Sequence, residues 1–319
     1  MPLAIVHSAG EWTARFGAPA RRSVVTIGTF DGVHLGHQKI LRNVLDRAHR
    51  AGAMAAVLTF HPHPARILRP ADAPALLETL DQRMAALEAM GIDAALVLRF
   101  DAELASVAAE EFVKRFLVDA MRAQAVLAGA NFRFGHRGAG DVKLLGELGL
   151  RWGFAVEIVP PVAEGGIVVS STTIRTAIAE GRVEDAKQML GRPFALAGEI
   201  RSGTGQGRKL VVPTLNLSTE QEMLPKAGVY ATEALVSGKF YRAATNVGMR
   251  PTFDGSRLTI ESHLFDFSEN LTAGSLEVRF WKRLRDERRF SSPAELREQV
   301  LKDVAQAKDY FKSLKNEGT

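Results

Sequence analysis

The chain has 319 residues, 46% of them hydrophobic and 24% charged, with no cysteine and a formal net charge of +5. That length allows two domains with separate cores, and a cysteine-free chain excludes disulfides, thiol nucleophiles and Cys-ligated zinc while suiting a reducing cytoplasm. No segment approaches the roughly 20 apolar residues of a membrane span, the start MPLAIVHSAGEW does not read as a secretion signal, and the basic residues alternate with acidic ones, as in KRLRDERR at 282–289, which argues against a nucleic-acid footprint and suits small anionic ligands.

In chain order, SVVTIG (23–28) is a short apolar, β-branched run. A turn follows, then a helical stripe through Ile40, Leu41, Val44, Leu45 and Ala48 that Gly52 closes. The runs AAVLTF, AALVLRF, AVLAGA and FAVEIV are likewise separated by helical stretches. Strands apolar on both faces and spaced by helices predict a parallel sheet covered on both sides. Ligands of such sheets bind beyond the carboxyl ends of the strands, so the loops after each strand are the candidate site. Beyond GRPF (191–194) the pattern changes to short, turn-separated runs: ALAGEIR, TLNLS, GVYATEALV, KFYRAATNVG, LTIESHLFDF and SLEVRF. These predict an antiparallel sheet or small barrel. A terminal helix opens at SSPAEL and carries Leu296, Val300, Leu301, Val304, Ala307 and Phe311. The change of pattern places the expected domains at 1–186 and 187–319.

GTFDGVHLGH, between the first predicted strand and its helix, admits three readings. It is a glycine-rich turn with incidental histidines, or a metal site sharing His34 and His37 with further ligands, or an anion site. In the third, Gly28, Gly32 and Gly36 let backbone approach a ligand, and the helix start presents N–H groups carrying roughly +0.5 of an elementary charge. His34 and His37 would add N–H donors to phosphate oxygens. Neither a P-loop nor a G-x-G-x-x-G turn is present. TFHPHP (59–64), NFRFG (131–135) and SSTTIR (170–175) occupy the later post-strand loops, the last offering hydroxyls, a helix start and Arg175 together.

His-x-Gly-His after a first strand resembles nucleotidyltransferases. The four loops in this order resemble the adenylyltransferase half of the bacterial bifunctional riboflavin kinase/FMN adenylyltransferase (FAD synthetase) family. The resemblance implies a Rossmann-like α/β domain that joins ATP to FMN, yielding FAD and pyrophosphate. It implies ATP contacts from Gly28, Thr29, Phe30, Asp31, His34, His37, Ser170, Ser171, Thr172 and Arg175. It places FMN near His63, Pro64, Asn131 and Phe134, with Asn131 standing where many relatives carry Asp.

In the second half, RSGTGQGRKLVVPTLNL (201–217) is a glycine-rich turn running into PTLN. Residues two apart in an extended segment share a side, so Thr214 and Asn216 can present oxygens to one point, a plausible Mg²⁺ arrangement with nucleotide phosphates. Glu261 lies inside a predicted strand, either on an exposed face with Thr259 and His263 or as a general base. GEIRSGTGQGRKL, VPTLN, GVYA, NVGMRPTF, ESHLFDF and RLRDERRF resemble the riboflavin kinase domain of the same family. That likeness implies an antiparallel barrel with a terminal helix, Thr214 and Asn216 as Mg²⁺ ligands, and Glu261 as base for the ribityl 5′-hydroxyl. It implies ATP contacts from Gly203, Thr204, Gly205, Gly207, Lys209 and Asn246, and a flavin-closing loop with Arg285 and Phe290. Val211 and Val212 replace the Gly-Phe common in relatives, and NLTAG replaces a Leu-Tyr-Gly turn, departures compatible with weak kinase activity; because PTLN and Glu261 are intact, activity above background is expected. A narrower reading is an adenylyltransferase followed by a flavin-binding module; a non-catalytic nucleic-acid binder is the remaining class, and it predicts salt-sensitive binding.

Overall fold

The computed structural model describes residues 2–18, 21–201, 214–252, 255–269 and 271–316. The chain divides into two compact units, Met1–Ser171 and Thr172–Thr319. The expected kinase loop residues Gly203, Thr204, Gly205, Gly207 and Lys209, with Val211 and Val212, lie outside the described residues.

The first unit holds strands β1 (Ala4–Val6), β2 (Ser23–Ile27), β3 (Met54–His61), β4 (Ala94–Arg99), β5 (Ala123–Gly129) and β6 (Ala155–Val159), then a two-stranded hairpin of β7 (Ala163–Glu164) and β8 (Ile167–Val168). The six longer-range strands form one parallel sheet ordered β1-β4-β3-β2-β5-β6. All five residues of β2 are buried. Val25 joins a core with Trp12, Leu96 and Leu145 on one face. Val24 joins Leu41, Val44 and Leu87 on the other. The period of two therefore feeds both faces, as the apolar runs predict. The helix Leu35–Ala51 ends where Gly52 turns left-handed, at φ 58°, and its N–H reaches the carbonyls of Ala48 and His49. β1 is an element that periodicity did not predict; three residues at a sheet edge are too few to show one.

The strand order reverses beside β2. β3 and β4 continue on one side of it, and β5 lies on the other. At such a switch point the connections leave in opposite directions and open a crevice at the carboxyl ends. GTFDGVHLGH leaves β2 there, flanked by the segments after β3 and β5.

In the second unit, β9 (Phe194–Arg201), β10 (Leu215–Ser218), β11 (Gly228–Val236), β12 (Lys239–Thr252), β13 (Gly255–Leu264) and β14 (Ser275–Asp286) close an antiparallel barrel in the order β10-β13-β12-β11-β14-β9. Closure leaves no unpaired edge. The terminal helix Pro293–Asn316 packs Ala307 and Phe311 on Ala231, Ala244 and Phe265. The helix Val183–Leu190 packs against β14: Glu184 accepts from the Arg283 backbone N–H at 3.4 Å, and the Lys187 ammonium sits 4.4 Å above the Trp281 ring. These contacts group that helix with the barrel.

Candidate functional site

The post-β2 loop is compact and strained. Phe30 and Val33 have φ of 51° and 34°, a conformation that costs a side-chain-bearing residue roughly 1–3 kcal/mol and clusters at functional sites. Phe30 and Asp31 are each only 1% exposed. The Asp31 carboxylate accepts the backbone N–H groups of Leu77 (3.0 Å) and Glu78 (3.4 Å). Phe30 and Asp31 are thus buried parts of the loop, whereas Gly28 and Thr29 are half-buried.

His34 is the N-cap of the helix Leu35–Ala51, and its Nδ1 accepts the His37 backbone N–H at 3.3 Å. Accepting on Nδ1 places the proton of the neutral ring on Nε2. The His34 and His37 rings stack, with centroids 3.7 Å apart and planes inclined by 18°. Phe30 closes the far side of His37 at 5.1 Å. The His37 Nδ1 is buried with no hydrogen-bond partner. Burial foremost, then the charges of His34 and Arg83, hold the His37 imidazole well below its usual pKa, so it is uncharged at neutral pH. The first turn of this helix carries no acidic residue, leaving its positive end uncompensated.

Gly36 makes room for this pair. A Cβ there would lie 3.1 Å from both Cε1 and Nδ1 of His34. Alanine in place of a helical glycine ordinarily stabilises by about 1 kcal/mol. Gly36→Ala is expected instead to displace the His34 ring and lower adenylylation by roughly 10- to 100-fold, with the melting temperature held or raised; thermal unfolding and initial rates on the same preparation check this.

The other post-strand loops converge in part. The Ser171 hydroxyl donates to the Asp31 carbonyl at 2.9 Å, and the Val169 carbonyl lies 3.8 Å from the point a Gly36 side chain would occupy. Ser170 is half-buried in the same loop, Thr172 is exposed, and Arg175 is half-buried one turn further along the helix Ser171–Ala179. After β3, His63 caps the helix Pro64–Leu68, its Nδ1 accepting the Ala65 N–H at 3.1 Å. After β5, Asn131 is exposed. Phe134 is 7% exposed and belongs to the core with Phe112. Its ring stacks on that of the half-buried Phe132 at 5.4 Å, so Phe132 carries the more accessible aromatic surface in NFRFG. Sequence reading also missed Arg83, which is 1% exposed. Its signal was present: Leu80, Arg83, Met84 and Leu87 fall on one helical face, so an arginine interrupts an apolar stripe.

In the barrel, residues paired directly across antiparallel strands point to the same face. Asn216 on β10 pairs with Glu261 on β13, and Glu261 pairs with Asn246 on β12. Barrel closure therefore sets Asn216, Glu261 and Asn246 in one row. Leu215 and Leu217 are buried, whereas Thr214 and Asn216 are half-buried, the alternation expected of residues two apart on one side of an extended segment. The row behind is interior: the Thr232, Thr245 and Ser262 hydroxyls link at 2.6 and 2.8 Å, all fully buried. Gly248 lets the Glu287 carboxylate and the Asn246 amide approach the strand, since a Cβ there would collide with the Glu287 carboxylate and come within 2.9 Å of Asn246 Nδ2. Arg285 is engaged elsewhere. Its Nε and Nη2 donate to Asp303 of the terminal helix at 2.8 and 2.7 Å, and its guanidinium lies 5.9 Å from the Phe290 ring centroid. It fixes the loop that carries Phe290.

Among the described residues, no group of three or more His, Asp or Glu could hold a metal ion, and no helix is long and apolar enough to cross a membrane.

Residues 18–173 match the family model described as FAD synthetase, and residues 190–311 match the one described as Riboflavin kinase. The "Bifunctional riboflavin kinase/FMN adenylyltransferase" of Escherichia coli (strain K12) is 35% identical over 295 residues, 92% of this chain and 94% of the relative. Relatives of the same description from Pseudomonas fluorescens and Bacillus subtilis (strain 168) are 38% and 34% identical, over 90% and 92% of this chain and 93% and 94% of their own length. A solved structure titled "Crystal Structure of Macrolide-efflux Protein from Streptococcus pneumoniae" superposes with a TM-score of 0.86 at 29% identity, covering 97% of this chain and 99% of that one. Fold and sites thus define a two-unit transferase, with an FAD synthetase domain ahead of a riboflavin kinase domain. The chain belongs to the bifunctional riboflavin kinase/FMN adenylyltransferase family. The match over 190–311 favours this over the narrower expectation of an adenylyltransferase with an inert flavin-binding module.

Proposed function

We propose that this chain phosphorylates riboflavin to FMN in its barrel and adenylylates FMN to FAD at the carboxyl edge of its parallel sheet, with ATP as co-substrate in both reactions. The activities divide between the parallel-sheet half and the barrel half, expected at 1–186 and 187–319, with the whole helix Val183–Leu190 on the barrel side. The observation that carries this reading is that each matched segment holds its own cluster suited to phosphate chemistry: stacked imidazoles at a helix start, and an Asn–Glu–Asn row across a closed barrel.

In the adenylyltransferase, Gly28, Thr29, His34, His37, Ser170, Ser171, Thr172 and Arg175 hold the ATP phosphates, and Phe30 and Asp31 shape the loop beneath. FMN lies by His63, Pro64, Asn131 and Phe132, with Phe134 supporting Phe132 from the core. An FMN phosphate oxygen attacks the α-phosphorus of ATP, the bond to the bridging oxygen breaks, and pyrophosphate leaves. Positioning and N–H donors aimed at the growing charge supply the acceleration without a covalent intermediate.

In the kinase, Glu261 takes the proton of the ribityl 5′-hydroxyl as that oxygen attacks the γ-phosphorus and ADP leaves. Thr214 and Asn216 are neutral oxygen donors on one face beside Glu261, a donor set that fits Mg²⁺, which takes few protein ligands when it also binds phosphates. Bound there, the ion would offset negative charge on the nucleotide. Asn246 contributes to ATP binding, as do Gly203, Thr204, Gly205, Gly207 and Lys209, which lie outside the described residues, and Phe290, on the loop that Arg285 anchors, covers the flavin. A cysteine-free chain with small anionic substrates and no nucleic-acid partner suits the cytoplasm.

The test is a time course of the purified chain with riboflavin and Mg-ATP, the flavins resolved chromatographically. FMN is expected first, then FAD with one pyrophosphate per FAD. FAD formed from supplied FMN but never from riboflavin would remove the kinase half of the proposal.

A further inference from the structure

Arg83 is the buried charge that the reactions above leave unused. It lies on the helix Leu80–Ala89, 1% exposed. Its Nη1 donates to the Phe60 carbonyl at 3.4 Å, near the carboxyl end of β3. Its Nε is buried with no hydrogen-bond partner. A buried guanidinium with an unsatisfied donor is costly and calls for an explanation.

The surroundings supply one. Arg83 is coupled electrostatically to Asp31 and Glu78 and to His37. Asp31 is itself buried in the post-β2 loop and holds the backbone N–H groups of Leu77 and Glu78 just before the Arg83 helix. One side chain thus touches the end of β3 and acts on both the loop after β2 and the imidazole that this loop presents. No hydrocarbon residue could do all three.

We propose that Arg83 is a positioning residue of the adenylyltransferase site, bracing the end of β3 and the 28–37 loop so that His37 is held in register with the triphosphate. The proposal rests on the assignment of His37 to ATP made above. Arg83 acts through His37 and the loop, not on substrate. The charged and titratable groups facing this pair are His34 beside His37, and Asp31 and Glu78 beside Arg83. A positive charge next to an imidazole opposes its protonation, so removing Arg83 raises the pH at which His37 titrates.

The experiment compares full-length wild type with Arg83→Met, which keeps the apolar stem, and Arg83→Lys, which keeps the charge. For each, adenylylation is measured with supplied FMN, phosphorylation with riboflavin, and the His37 ring titration by NMR of histidine-labelled protein, the resonance assigned by its absence from His37→Gln. Arg83→Met is expected to lose roughly 10- to 100-fold in adenylylation kcat/KM, to titrate at higher pH than wild type at His37, and to phosphorylate riboflavin normally. Arg83→Lys is expected to keep the wild-type titration and recover part of the rate.

Wild-type adenylylation in Arg83→Met overturns the proposal. So does a rate loss with the His37 titration unmoved, because that is the signature of a structural role alone. Should Arg83→Met fail to fold, Arg83→Lys decides: a shifted His37 titration, or a rate no better than background, sinks the idea. His37→Ala run in parallel separates the two levels, since normal adenylylation there refutes the site assignment itself.

Discussion

His37→Ala is expected to lower FMN adenylylation by roughly 10²- to 10³-fold, the range seen when one preorganised donor to a developing charge is removed, with riboflavin phosphorylation by the same molecules at the wild-type rate. His37 is held from three sides: the His34 ring at 3.7 Å, the Phe30 ring at 5.1 Å, and its own helix, where its backbone N–H is capped by His34. Such a ring reorganises little when charge moves, which is the condition under which an N–H donor is worth most. Its depressed pKa, caused first by burial and then by His34 and Arg83, keeps it neutral at neutral pH. Protonation in acid would place a cation against Arg83, so the donor acts as an imidazole and not an imidazolium. Initial rates with saturating FMN and varied ATP would separate kcat from KM. Adenylylation near wild type in a folded His37→Ala protein would remove this residue from the mechanism.

Glu261→Gln should produce the opposite pattern, a loss of riboflavin phosphorylation by roughly 10²- to 10⁴-fold, the usual worth of a positioned general base, with FAD still made from supplied FMN. Glutamine preserves the volume and the hydrogen-bonding reach of the carboxylate in the Asn216–Glu261–Asn246 row, and removes its ability to accept a proton. The loss should fall on kcat, because flavin and nucleotide contacts are untouched. Equal loss of both activities with the barrel intact would mean that Glu261 acts on the molecule as a whole, and would rule out the base assignment. The pair of variants makes a double dissociation within one chain, so each serves as the folding control for the other.

Much of this organisation could be read from local patterns. The buried β2 run, the Gly52 stop and the inward Leu215 and Leu217 against Thr214 and Asn216 follow from periods of 2 and 3.6 residues. The post-strand loops were legible as the candidate site because parallel sheets bind ligands at one edge. Other features were not. Phe132 and Phe134 are equally aromatic and two apart, and only the packing of Phe134 against Phe112 decides which ring stays accessible. The burial of Phe30 and Asp31, and the positive φ at Phe30, likewise come only from the folded loop. Arg285 stands in a motif associated with flavin closure, yet its fork is committed to Asp303, 18 residues further on.

The sequence alone determined what is local: where strands and helices start and stop, which faces are apolar, and which short motifs carry histidine, hydroxyl or carboxylate chemistry. Tertiary structure decided what depends on distant pairing: the reversal of strand order beside β2, the register that aligns Asn216, Glu261 and Asn246, and the burial of Arg83 beside His37. Periodicity and capping are settled among near neighbours along the chain. Register, strand order and the electrostatic surroundings of a buried group are set by which remote segments meet, and no local pattern encodes that choice.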